Sequence, residues 1–373
     1  MNMASTEAAP PDRVGAASAA DLAFREATPA DGPGLQALQA SIEHGGDVRT
    51  VKINAPDFFA RYRAFDRYKV FVACAGDRIV ASDACAIRPA TIAGEPRLLG
   101  HVSHTFVSPE LQAGGIGSRF KRELLEPYLR SQGVALMYGH VADGNERALR
   151  SVQRAGWRPV RRVTFTGAPV YRLMPARTCS TIRPFRPGDA APVADLLNRN
   201  WQRHELYAPI SAEELTRSLE RTPGYREDAI QVLEARGRIV ACAGFWDWSA
   251  VERITVRGLT PRLRLLASGL ELAGRFRPAP RVPQVGEVLR QWLLAPLGFE
   301  DPVELGDLAR AINDRALSEG VGQMFVMSER GAPVLRALEG FFKVSMGFQL
   351  VVKPLLPGIA LGDRPLYVPA TDA

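Results

Sequence analysis

Apolar residues recur along this chain in two rhythms, and their alternation lays out its elements. An apolar, β-rich stretch closes on Phe106-Val107-Ser108-Pro109. From Ser118 to Leu129, Phe120, Leu124, Leu125, Tyr128 and Leu129 fall at helical spacing, which predicts an amphipathic helix. Val134 to Val141 is an apolar run of strand length, and Asp143-Gly144-Asn145 after it is a turn and helix-cap cluster. Ala148, Leu149, Val152 and Ala155 then form a second helical stripe, which Gly156 ends.

Composition narrows the class of protein. A chain of 373 residues has room for two domains, and no apolar run reaches the roughly 20 residues that span a bilayer. Residues 1–21 are rich in Ala, Ser and Pro and lack the marks of a secretory or transit signal, so a disordered tail is expected. Cys74, Cys85, Cys179 and Cys242 show no pair spacing; Cys74, Cys85 and Cys242 fall in predicted strands as buried thiols, and a cytoplasmic, metal-free protein is expected. The net charge of +7 is uneven: residues 22–175 carry twenty-one basic and fourteen acidic side chains, the whole of the excess. That half therefore suits a phosphorylated ligand. Nucleic acid would suit it on charge alone, but no lysine run, zinc pattern or helix-turn-helix pattern accompanies it.

The chemistry concentrates in Gln112-Ala113-Gly114-Gly115-Ile116-Gly117-Ser118, between the strand and the first helix. A strand that turns through glycines into a helix start is an anion site, because first-turn N–H groups point outward and the helix dipole favours negative charge. The glycine order fails the dinucleotide fingerprint, and Gly117-Ser118-Arg119 lacks the P-loop lysine. What stands is Val-x-Pro-x-x-Gln-x-x-Gly-x-Gly at Val107, Pro109, Gln112, Gly115 and Gly117. This resembles the acyl-CoA pyrophosphate loop of the GNAT superfamily of N-acetyltransferases. Asn145-Glu-Arg-Ala148 leading to Gly156-Trp157 resembles a later segment of the same family.

The chain also repeats itself faintly. Phe24-Arg25 to Asp31 is echoed by Ile182-Arg183 to Asp189, displaced by 158 residues, and the hairpin turn at Gly76-Asp77-Arg78 returns at Gly237-Arg238. Gly156-Trp157 returns as Gly347-Phe348, displaced by 191, so the second copy carries an insertion over 251–284. The expected fold class is α/β (α+β): two tandem GNAT-like domains over 22–175 and 180–360, each a twisted, mostly antiparallel sheet flanked by helices, then a C-terminal tail over 361–373. Within the insertion, the basic stretch from Pro261 to Leu270 is expected as a helix packed over its own domain, not one lying on a membrane. Where the second copy needs a glycine loop it has Glu300, Asp301, Glu304 and Asp307, which would repel a pyrophosphate. Only the first copy is expected to bind acyl-CoA.

The resemblance implies an acetyl-CoA-dependent N-acetyltransferase acting on a small-molecule amine or a peptide N-terminus, with no nucleic-acid or membrane partner. Pantetheine would lie between splayed strands and bond the backbone of Phe106, Val107 and Ser108, while Gln112 to Ser118 and Asn145 frame the CoA. A backbone N–H there would polarise the thioester carbonyl. His101 matches one of two strand histidines of an arylalkylamine-acetylating subgroup, and Ser103 stands in place of the second. Regular alternation puts His101, Ser103, Thr105 and Val107 on one face and His104 on the other, unless a β-bulge intervenes. The family's acid tyrosine is replaced by Val152, which leaves Tyr138 on the facing strand as the candidate donor to the thiolate. The alternative reading is a CoA-binding or partner-binding module without turnover.

Overall fold

The computed structural model describes residues 22–112, 115–178, 180–226 and 228–372; the expected tail over 1–21, and Ala113, Gly114 and Cys179, lie outside them. In the first half, β1 (Ala23–Glu26), α1 (Gly32–Ala40) and β2 (Val48–Asn54) precede the long hairpin of β3 (Arg67–Ala75) and β4 (Arg78–Ile92). Then come β5 (Glu95–Val107), α2 (Ile116–Phe120), α3 (Glu126–Ser131), β6 (Leu136–Ala142), α4 (Glu146–Arg154) and β7 (Arg158–Pro169). The second half repeats the plan with β8 (Thr181–Pro184), α5 (Ala190–Trp201), α6 (Ala212–Arg221), β9 (Gln231–Ala235) and β10 (Arg238–Asp247). Its insertion supplies β11 (Glu252–Leu259), α7 (Pro261–Gly274) and β12 (Val288–Leu289). It closes with β13 (Gln291–Phe299), α8 (Pro302–Ser318), β14 (Gln323–Glu329) and β15 (Val344–Pro354).

Twelve of these strands form one sheet, in the order β1-β3-β4-β5-β6-β15-β7-β14-β13-β10-β9-β8. The order reads the same from either end once the two halves are exchanged, with the line of symmetry between β15 and β7. Each half gives its last strand to the other: β15 pairs with β6, and β7 pairs with β14. The expected boundary between 22–175 and 180–360 therefore does not divide the sheet. The physical reason is that β6 leaves β5 after a short contact and needs a partner on its other edge, which β15 supplies from Phe348 to Pro354.

Two further expectations change. Residues 361–372 are no free tail: Leu366 and Val368 are buried, the Leu366 N–H donates to Glu329 Oε2 at 2.8 Å, and Arg161 donates to the Gly362 carbonyl at 2.9 Å. β11 from the insertion pairs with β2 of the first half, making a three-stranded sheet that bridges the halves. The helix that follows it, α7, lies against the body by one side only. None of its residues is buried, because its apolar positions lie on two opposite sides and only one can face the body.

A bulge in β5 sets the side-chain directions at the centre of the first half. Ala84 pairs with Ser103 and Ser82 with Phe106, so β5 spends two residues, His104 and Thr105, against Asp83 alone. His104 takes the left-handed conformation this requires, with φ +53°. Beyond the bulge, Thr105 Oγ1 donates to Asp83 at 2.8 Å, and Lys121 Nζ donates to Thr105 at 3.0 Å and to Asp83 at 2.9 Å. Asp83 and Lys121 are both buried, so this ion pair locks the bulge to the π-helical turn Lys121–Leu125 that joins α2 to α3. Removing one partner leaves an uncompensated buried charge, which costs about 3–5 kcal/mol. Urea unfolding of Asp83→Ala should show a loss of about that size, and an Asp83→Leu/Lys121→Met double variant should recover most of it. A midpoint unchanged in the single variant would show that the pair carries no such weight.

Candidate active site

The site begins where β5 and β6 part. They pair in parallel at Leu99–Leu136, Gly100–Met137 and His101–Tyr138 only. At the apex a Cβ on Gly139 would stand 2.8 Å from the Val102 carbonyl oxygen, so glycine is required for the strands to meet there. Past that point the β6-facing edge of β5 is open. The Ser108 N–H donates to Val80 O at 2.8 Å, so it is not available to a ligand, contrary to expectation. Ladder alternation commits Phe106 in the same way and turns the N–H and C=O of Val107 to the open edge. Gln112 Nε2 donates to that carbonyl at 3.2 Å.

The open edge runs into the glycine turn. Pro109–Leu111 forms a single 3₁₀ turn, and Gly115 then adopts φ +69°, a conformation that strains any other residue. Among the described residues, none outside its chain neighbours lies within 4 Å of where its Cβ would be. Ile116 is buried and anchors α2, and a Cβ on Gly117 would stand 3.5 Å from the Thr105 methyl. The Ser118 N–H turns back to Gly115 O at 3.1 Å. Arg147 of α4 donates to Gln112 Oε1 at 2.8 Å, which brings a cationic side chain to the loop. Asn145 is the N-cap of α4: its Oδ1 accepts the Ala148 N–H at 3.1 Å.

The bulge decides the opposite face. With one extra residue in β5, His104 joins His101 and Ser103, while Thr105 turns away to Asp83; the alternation expected for a regular strand is overturned from residue 104 onward. Tyr62, from the 3₁₀ turn Ala60–Ala64, reaches both, its hydroxyl 2.6 Å from His104 Nδ1 and 3.3 Å from Ser103 Oγ. The protons of this network can be assigned. The Asn54 N–H donates to Gln39 Oε1 at 3.0 Å, which makes Gln39 Nε2 the donor to Asn54 Oδ1 at 3.1 Å. Asn54 Nδ2 donates to Phe58 O at 2.7 Å. Asn54 Oδ1 is thus the acceptor from His104 Nε2 at 3.2 Å, so Nδ1 is bare and receives the Tyr62 proton.

Deeper in the splay, His101 stacks on Tyr138 with ring centroids 5.0 Å apart. Arg88 Nε donates to the Tyr138 hydroxyl at 2.8 Å, which fixes Tyr138 in the core rather than freeing it toward a thiolate. His140 lies 5.9 Å from the His101 ring, and Asp372 Oδ1 is 3.6 Å from His101 Nδ1. Both Asp372 oxygens are buried, and among the described residues neither has a hydrogen bond of good geometry. With His44, whose ring lies 5.9 Å from Phe106, four of the chain's five histidines gather on this face. Burial, with Arg61 and Arg88 nearby, holds His101 well below the usual imidazole range; burial does the same for His104, and lowers His140 to about 4. Burial raises the Asp372 carboxyl against the pull of Arg88, and keeps the Tyr62 and Tyr138 phenols protonated. Sequence spacing gave no sign of Tyr62, Asn54, Arg88 or Asp372; the one available cue was His140, two residues after Tyr138 on the same strand face.

The equivalent place in the second half is filled. β13 and β14 also pair over three residues and part, but Leu294, Pro296, Val326, Tyr367 and Val368 crowd the opening, leaving a cavity of about 40 Å³. At the start of α8 the Asp301 carboxylate accepts the Val303 N–H at 2.9 Å, so the chain's own anion sits at that helix end. Asp307 accepts the N–H groups of Arg177 and Thr178, at 2.7 and 2.9 Å.

No protein-family model and no curated protein matches the chain. Solved structures do. A GCN5-related N-acetyltransferase from Sphaerobacter thermophilus is similar over 92% of this chain and 99% of its own, with TM-score 0.58 and 16% identity. N-myristoyltransferase from Saccharomyces cerevisiae with bound myristoyl-CoA is similar over 93% of this chain and 84% of its own, with TM-score 0.63 and 12% identity. A GCN5-related N-acetyltransferase from Anabaena variabilis gives TM-score 0.51 at 9% identity, over 90% of this chain and 73% of its own. The chain therefore has the GNAT fold.

A buried neutral histidine binds its proton more readily in the unfolded chain, where its pKa is near 6.5, than in the folded one. The stability it contributes is complete above about pH 6.5 and is lost as pH falls toward the folded value, about 4 for His140. Thermal melts should thus fall between pH 6.5 and 4, less steeply in His140→Asn. Identical slopes in the two proteins would show that His140 titrates normally.

Proposed function

We propose that the protein is an acyl-CoA-dependent N-acyltransferase that moves acetyl from acetyl-CoA to a primary amine by direct attack, within the N-terminal half. The observation that carries this reading is the continuity of the open Val107 edge with Gly115 and the start of α2. Such an edge accepts pantetheine as an added strand, and the glycine turn receives the pyrophosphate on backbone N–H groups. Phe106, Gln112 and Gly115 to Ser118 frame this path. The Val107 N–H is the donor at the open edge for the oxygen of the tetrahedral intermediate.

The amine enters from the histidine face. As its nitrogen bonds the thioester carbon, its proton passes to an uncharged base, and the thiolate leaves and takes a proton from water or a nearby donor. His101, backed by Asp372, is the base of this scheme, with Ser103 beside it. Tyr62, its proton held toward His104 Nδ1, offers an oxygen lone pair to the incoming N–H and passes its own proton to Nδ1, and the imidazolium so formed keeps its Nε2–H on Asn54 Oδ1. Tyr138, held by Arg88, supports His101 by stacking. The acceptor is a small-molecule amine or a peptide N-terminus. The absence of a tyrosine at Val152 and the engaged Tyr138 hydroxyl favour one second reading, a CoA-binding module without turnover.

Amine-dependent release of CoA thiol, measured over a panel of amines with acetyl- and longer acyl-CoA donors, decides between them. His101→Ala should lower kcat/KM at neutral pH by roughly 10²–10³. Because burial and the arginines lower the His101 pKa, the acidic limb that His101 gives kcat/KM should lie below pH 6.5. Tight acetyl-CoA binding with no thiol release from any amine would leave the binding module.

A further inference from the structure

The insertion places an unusual surface on the molecule. Along α7, Leu263, Ala267, Leu270 and Ala273 are half-buried and face the body. On the opposite side Leu265 and Leu272, with Phe276 in the turn just past the helix end, are 77%, 57% and 84% exposed. The same segment, residues 261–283, carries Arg262, Arg264, Arg275, Arg277 and Arg281 against the single acid Glu271. Of the five arginines only Arg281 makes an ion pair among the described residues, with Glu287 at 2.6 Å. The helix is held in place at its start, where the Thr260 N–H and Oγ1 donate to Asp47 O and Oδ1, at 3.0 and 3.1 Å.

From this arrangement we propose that α7 docks the protein on the surface of an anionic lipid bilayer, with Leu265, Leu272 and Phe276 inserted at the boundary of headgroups and acyl chains. The apolar stripe needs an apolar partner, and the arginines need a negative one. A bilayer carrying anionic headgroups offers both in one plane, at the depth an in-plane helix reaches. A second copy meeting stripe to stripe would bring two sets of arginines together. A nucleic acid would answer the arginines and leave the leucines and the phenylalanine in water. This departs from the expectation of a packed helix and no membrane partner, and it stands apart from the acyl-transfer reading, since nothing in it depends on turnover. Through Asp47 the docked helix would hold the segment after α1, on the histidine side of β5, close to the lipid surface.

The test is co-sedimentation of the full chain with phosphatidylcholine vesicles, with and without phosphatidylserine. Binding should be at least about tenfold stronger to the anionic vesicles and should fall with added salt. The Leu265→Glu/Leu272→Glu/Phe276→Glu variant, folded by thermal melt, should lose it, as should a variant with Arg262, Arg264, Arg275 and Arg277 replaced by Glu. No binding, equal binding to both vesicles, or wild-type binding by the apolar variant would overturn the proposal. So would a lipid-free dimer that this variant abolishes, since a second copy would then cover the stripe.

Discussion

The single extra residue in β5 is the constraint on which the site depends. Without it, His104 would point with Val102 into the core beneath α2, and Thr105 would point away from Asp83. With it, three polar side chains of one strand, His101, Ser103 and His104, share a face, while Thr105 ties the other face to Lys121 and the helix behind the glycine turn. The two substrates of an acyl transfer must meet at one carbon from different directions. In the proposed reaction, a bulged strand with an open backbone edge and proton acceptors on one face would meet that need.

The exchange of last strands gives the second half a use that does not require a second reaction. β15 forms the far wall of the splayed β6, so the first half cannot complete its sheet without the second. The last residues extend this dependence, because Tyr367 and Val368 fill the second opening while Asp372 reaches His101 in the first. The second half thus completes the sheet of the first, and two of its acidic residues cap a helix and hold the connecting segment. Asp301 and Asp307 do those two things.

Much of this was legible in the sequence because it is local. The helix after the glycine turn, the Asn145 cap, the Gly156 stop and both hairpin turns follow from spacing and backbone preference over a few residues. The strand exchange was not legible, since it pairs segments about 160 and about 210 residues apart with no motif of their own. The face of His104 stayed open in the sequence because alternation holds only for an unbroken pleat, and a histidine at φ +53° carries no such mark as glycine would. Tyr62, Asn54 and Asp372 enter the site from a turn, an outlying strand and the final turn of the chain, and only tertiary packing brings them together. The exposure of α7 was missed because a helix with apolar residues on two sides reads from sequence as one with a partner.

The central claim is that one acyl-CoA site works beside a filled copy of itself, and calorimetric titration with acetyl-CoA tests it most directly. The account predicts one site per chain, lost in Gly115→Glu, whose side chain would stand at the helix start in a left-handed backbone. Two sites per chain, or one that survives Gly115→Glu, would contradict it.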